Sequence, residues 1–254
     1  MAIKIAAANI KGGIGKTTTI LALADGLIKR GYRVLMIDTD PQRNTSRVYK
    51  AQTEDTETLY DIIMSGYLAE KCIQSTEYGD IIAGDSLLKS ADTDVKTGPK
   101  MYKYISKALK NIEDKYDFIL LDTPPRSGVL LGNVLFASDY VVVPVTCDIF
   151  GVQGITDFAQ EVEEYMEDNE NLKILGLLKI KYKGRQALTR DIEENLLPDF
   201  AKQLSTKIFE STIRESVKCQ EAQTLQMRLS DYAPSCTTYA DYEAFVDELL
   251  REVL

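Results

Sequence analysis

The chain has 254 residues, 44% of them hydrophobic, and a formal net charge of −9. That size suits one large α/β domain, and no apolar run approaches the ~18 residues of a membrane-spanning helix. Four scattered cysteines (Cys72, Cys147, Cys219, Cys236) and no histidine exclude a C-x-x-C metal site, a disulfide framework and any Ser-His or Cys-His catalytic pair. Chemistry is left to carboxylates, lysines, hydroxyls and a metal ion, in a protein whose thiols fit a reducing, cytoplasmic setting.

The first predicted element is a buried strand, Ile3–Ala8, placed too early to leave room for a signal peptide. Lys11-Gly12-Gly13-Ile14-Gly15-Lys16-Thr17-Thr18 follows, and an amphipathic helix is expected over Thr17–Lys29. A strand, a glycine-rich loop and a helix N-terminus form a phosphate cradle, because backbone N–H groups and the helix dipole converge on an anion. Lys16 is placed to reach the β- and γ-phosphates, and the Thr17 hydroxyl to ligate Mg²⁺. The usual G-x-x-x-x-G-K-[ST] pattern fails at its first glycine, where Ile10 stands, and a lysine, Lys11, opens the loop instead. This K-G-G-x-G-K-[ST] form resembles the deviant Walker A box of the ParA/MinD-type ATPases. The resemblance implies that Lys11 reaches across a dimer interface to the partner's nucleotide.

A second strand, Arg33–Ile37, ends in Asp38-Thr39-Asp40-Pro41-Gln42. Carboxylates at the end of a parallel strand share the rim of the phosphate loop. Asp38 matches the first acid of the family's D-x-D-P-Q box, which is associated with water placement or the Mg²⁺ shell. Asp40 stands before Pro41, where a turn is expected. Arg43–Glu57 reads as a loop, Thr58–Met64 as a helix, Lys89–Pro99 as another loop and Lys100–Lys115 as a helix. Phe118–Leu121 is a buried strand that delivers Asp122 towards Mg²⁺, as in Walker B, and continues into the family's D-T-P-P as Asp122-Thr123-Pro124-Pro125.

Val129–Ala137 reads as a helix and Tyr140–Val145 as a strand that ends near Asp148. The resemblance places Asp148 near the nucleotide sugar or a partner subunit, and its position equally suits the entry of the next helix. A helix over Gly154–Glu167, a strand over Ile174–Ile180 and helices over Ala187–Phe200 and Thr238–Val253 complete the alternation. The fold expected is a mainly parallel twisted sheet flanked by helices on both faces, a three-layer α/β/α P-loop ATPase domain spanning residues 1–254.

Between Leu172 and Arg190 lie Lys173, Lys179, Lys181, Lys183, Arg185 and Arg190 with no acidic residue, a local anion surface on an acidic chain. Lys181–Arg185 stands where ParA-type proteins carry a basic turn, and Ile213–Ala222 resembles their I-P-R-N-V-R-L-x-E-A motif. The family's Pro-Arg-Asn becomes Arg214-Glu215-Ser216 here. By this resemblance Arg185 and Lys218 bind DNA without reading sequence, through phosphates, with the neighbouring Arg214 standing in for the family basic position that this chain lacks. The expected activity is slow, Mg²⁺-dependent ATP hydrolysis by an ATP-dependent homodimer. It would be nucleoid-associated and stimulated by a ParB-like partner, and would serve chromosome or plasmid segregation. Two alternatives are a MinD-like membrane-associated positioner and a nucleoid-bound positioner of a protein cargo. Against membrane binding, the C-terminal helix carries an apolar stripe (Tyr239, Tyr242, Val246, Leu249, Val253) backed by an acidic face that anionic lipid would repel. Only ten residues precede the loop, so an N-terminal operator-binding domain is not expected.

Overall fold

The computed structural model describes residues 1–96, 98, 100–183 and 187–254. Among them, strands β1 (Ile3–Ala7), β2 (Val34–Asp38), β3 (Ile73–Thr76), β4 (Gly79–Ile82), β5 (Phe118–Asp122), β6 (Tyr140–Thr146), β7 (Lys173–Tyr182) and β8 (Ile208–Arg214) form one sheet. Its order is β3-β4-β2-β5-β1-β6-β7-β8. Every neighbouring pair is parallel except β3 with β4. Helices cover both faces, as crossovers between parallel strands require.

Side-chain alternation sends each central strand into two cores. In β1, Ile5 and Ala7 join a cluster with Leu23 and Phe245, whereas Ala6 joins the opposite cluster with Val134 and Phe158. The helices Lys16–Lys29 and Thr237–Val253 bracket the first core. In the C-terminal helix, Tyr242, Val246 and Leu249 are buried and Tyr239 and Val253 pack partly against the same cluster, so the apolar stripe faces protein. Among the described residues no helix is long and apolar enough to cross a membrane.

Several expected boundaries shift. Helix Ile149–Asp168 starts five residues before the expected Gly154, because Asp148 caps it by accepting from Gly151 N at 2.7 Å. The helix expected over Lys100–Lys115 is confined to Tyr104–Leu109. The stretch read as a helix over Ala187–Phe200 divides into Ala187–Asp191, a wide turn at Ile192–Leu196 and Leu197–Gln203. Pro198 has no N–H to continue the ladder through that junction. The segment read as a loop over Arg43–Glu57 contains a helix, Asn44–Val48, and Lys89–Pro99 contains another, Ala91–Asp94. Strands β3, β4 and β8 were not expected; β3 and β8 are sheet-edge strands with mixed polar and apolar residues.

Candidate nucleotide site

The loop Lys11–Thr18 leaves the carboxyl end of β1, and a side chain the sequence reading passed over sets its exit. Asn9, 2% exposed, donates from Nδ2 to Pro144 O at 3.0 Å and accepts from Lys11 N at 3.0 Å, tying the loop to β6. Its signal was a polar residue closing an apolar run. Gly13 (φ 71°) and Gly15 (φ 91°) adopt left-handed backbone that disfavours other residues, and Gly15 caps the helix Lys16–Lys29. A Cβ at Gly15 would also stand 3.1 Å from Ile180 Cδ1.

Lys16 is nearly buried and donates to Lys11 O at 2.9 Å, so its ammonium lies over the loop. Burial lowers its pKa to about 8 against the opposing pull of Asp122 and Asp40. Thr17 Oγ1 donates to Asp122 Oδ2 at 2.9 Å. Thr18 Oγ1 meets Gln223 Nε2 from helix Val217–Thr224, and Lys181 Nζ donates to Gly13 O at 2.5 Å.

Strands β2 and β5 are neighbours in a register that sets Asp38 opposite Asp122, and both carboxylates are 0% exposed. Asp38 Oδ1 accepts from Asp40 N at 3.1 Å, and its Oδ2 from Ser46 N at 2.8 Å and Ser46 Oγ at 2.6 Å. Asp122 Oδ2 accepts from Thr17 and from Thr45 Oγ1, the latter at 2.8 Å, whereas its Oδ1 is buried without a partner. Burial raises the Asp38 pKa to about 6, against the Ser46 and Asp40 hydrogen bonds. Burial, and then the facing Asp38 charge, raise Asp122 to about 7. Two facing buried carboxylates with one oxygen unpartnered are chemically suited to a divalent cation. Among the described residues no cluster of three or more His, Cys, Asp or Glu side chains exists to cage a metal unaided. The Thr17 hydroxyl and the facing Asp38 and Asp122 carboxylates suit Mg²⁺, which binds through few protein oxygens together with phosphates and water.

Asp40 is buried and accepts from Gln42 N at 2.8 Å, shaping the turn that leads into Arg43 (φ 58°). Lys11 Nζ lies 3.6 Å from Asp148 Oδ1 of its own chain. Arg214 is held by Asp241 at 2.6 Å and Lys218 by Glu221 at 2.8 Å, both on the surface. Arg185 lies outside the described residues. A cleft of about 450 Å³ runs from Gly13, Lys16 and Thr17 to Arg214, Ser216 and Tyr242. Its walls are thus the phosphate loop and the segment matching the family's basic motif.

A glycine loop after a central parallel strand, with a buried acid behind its threonine, defines a P-loop nucleotide-binding protein. Comparison with known proteins narrows the class. A family model described as an AAA domain matches residues 2–174. The chain is 31% identical to the chromosome partitioning protein ParA of Caulobacter vibrioides, with 98% of this chain and 93% of that protein covered. It is 30% identical to the chromosome-partitioning ATPase Soj of Thermus thermophilus, covering 98% and 96%. Among solved structures, cobyrinic acid a,c-diamide synthase from Mycobacterium smegmatis, with bound ADP and magnesium, matches with a TM-score of 0.81. That pair is 25% identical, with 99% of this chain and 95% of that one covered. The chain belongs to the ParA-type P-loop ATPase family.

Proposed function

We propose that this chain is a DNA-partitioning ATPase that acts as a nucleotide-gated homodimer, with residues 1–254 as a single ATPase domain. The observation that carries the ATPase part of the reading is the buried Asp122, held by Thr17 at the mouth of the loop with Oδ1 unpartnered; the partitioning part is supported by the likeness to ParA and Soj. In this reading the backbone of Lys11, Gly12, Gly13, Ile14, Gly15, Lys16, Thr17 and Thr18 cradles the ATP phosphates, and Lys16 leaves Lys11 O to meet them. Thr17, Asp122 and Asp38 hold Mg²⁺ directly or through water; bound there, Mg²⁺ supplies positive charge against the phosphate oxygens. Asp38, fixed by Ser46 and Asp40 N, orients the attacking water. Lys11 exchanges Asp148 for the nucleotide of a second copy, which couples hydrolysis to dimerisation.

The ATP-bound dimer binds duplex DNA without sequence preference through Arg185, Arg214 and Lys218, and a ParB-like protein on the cargo stimulates hydrolysis. This places it in the cytoplasm, on the nucleoid. Arg214 and Lys218 each have a carboxylate partner in their own chain, so phosphate takes them in competition and the affinity falls steeply with salt. The direct test is retention of non-specific duplex DNA with Mg²⁺-ATP and with Mg²⁺-ADP across a salt series. The expected result is retention with ATP alone, weakened by salt and by Arg185→Ala or Lys218→Ala. Equal retention with both nucleotides, or none with either, would overturn the DNA-partitioning reading.

A further inference from the structure

The helix Asn44–Val48 lies in a segment that reads as loop, yet two consecutive residues in it reach both buried carboxylates. Thr45 Oγ1 donates to Asp122 Oδ2 at 2.8 Å, and both side chains are sealed from solvent. Ser46 grips Asp38 Oδ2 through its N and its Oγ, and Gly84 N donates to the same Ser46 Oγ at 2.9 Å. The stretch that follows β4 therefore locks the helix from the far side. Gly84 is pressed so close that a Cβ there would stand 2.9 Å from Asp38 O.

We propose that Thr45 is a positioning residue for the divalent cation: it fixes the Asp122 carboxylate so that Thr17 offers its oxygen lone pairs to the metal. This inference rests on the Mg²⁺-ATP reading of the site. A hydroxyl has one hydrogen and two lone pairs. Thr17 directs its hydrogen to Asp122 Oδ2, which leaves the lone pairs for a cation. The arrangement persists only while Oδ2 stays in place. Thr45, arriving from a different element, donates a second charge-assisted bond to the same oxygen. The carboxylate is then held against rotation, and Oδ1 remains the oxygen without a partner. Ser46 anchors the short helix that brings Thr45 to Asp122. Thr45 itself is fully buried and does not line the cleft, unlike Asn44 and Val48 of the same helix.

The test uses the full chain and a fluorescent ATP analogue, titrated first in EDTA and then with increasing Mg²⁺. In Thr45→Val the analogue's affinity in EDTA should match the original protein. The Mg²⁺ concentration for the half-maximal response should rise about tenfold, the usual loss for a residue that orients a metal ligand. Thr45→Ser, which restores the donor, should return that midpoint to its original value; a purely packing role would not separate the two readouts. Should Thr45→Val fail to fold, Thr45→Ala removes the same donor without setting a methyl against the carboxylate and carries the same expectation. An unchanged Mg²⁺ midpoint in the donor-less variant, or a shifted midpoint in Thr45→Ser, would overturn the role of Thr45 alone. A parent protein that binds the analogue with no response to Mg²⁺ would overturn both this inference and the reading beneath it.

Discussion

Replacing Asp122 by asparagine should abolish Mg²⁺-dependent ATP hydrolysis and, in the absence of metal, make the protein more stable. The facing carboxylates of Asp38 and Asp122 are fully buried, and burial together with mutual repulsion raises the Asp122 pKa from 3.8 to about 7. At pH 8 that displacement corresponds to about 4 kcal/mol against the folded state. Asparagine keeps an acceptor for Thr17 and Thr45 but leaves an amide where Oδ1 has no partner, which costs about 2 kcal/mol. The net gain is about 2 kcal/mol, or roughly 4–8 °C in Tm for a chain of this size. The sign with pH follows from the raised folded-state values. The stability contributed by these carboxyl groups is fully present below the unfolded pKa of 3.8 and is lost as pH rises through about 6 for Asp38 and about 7 for Asp122. The advantage of Asp122→Asn should therefore shrink to near zero at pH 5. Thermal and guanidinium unfolding in EDTA without nucleotide, at pH 5 and pH 8, measures both quantities. A variant less stable than the parent at pH 8, or equally stabilised at both pH values, would refute the reasoning.

Lys16→Ala should weaken ATP binding by a hundredfold or more, since a P-loop lysine is the main side-chain charge on the phosphates; isothermal titration would read it, and unchanged affinity would remove Lys16 from the site. Lys11→Ala should leave nucleotide binding by the monomer intact and block the ATP-dependent dimer, as followed by light scattering on a sizing column. A surviving dimer would mean that Lys11 serves only its own chain, against Asp148. Glu248→Leu should destabilise the fold by about 2–4 kcal/mol, because Glu248 accepts from Glu210 N and Ser211 N at 2.8 Å each where β8 meets the C-terminal helix. Chemical unfolding checks it, and a loss under 1 kcal/mol would show that water replaces the carboxylate there.

What could be read from the sequence was what local chemistry specifies. Ile5–Ala8 and Phe118–Leu121 are apolar without alternation because both sides of their strands are buried there, so they are legible without knowing their neighbours. The loop is legible because left-handed backbone at Gly13 and Gly15 demands glycine wherever the chain turns so tightly. Strand β8 was missed because its Glu210 and Ser211 lack the strand pattern; their N–H groups are met by Glu248, which stands 38 and 37 residues further on. No window of sequence contains that pairing.

The same limit explains why Asp38 and Asp122 are each legible at the rim of the phosphate loop while the side chains that hold them are not. Each acid is announced by the apolar run before it, but only the sheet order makes them neighbours. Once they are opposed in a dry interior, burial and mutual repulsion both disfavour the ionised carboxylates, and hydrogen-bond donors offset part of that cost. The fold recruits those donors from Thr17, Thr45 and Ser46. Thr17 is visible in the loop motif. Thr45 and Ser46 look like ordinary residues of a polar connection, since hydroxyls favour turns as readily as they favour buried acids. The acids are therefore what identifies the connection: a polar segment just after a strand-end aspartate is where a sheet that buries two of them must find its hydroxyls.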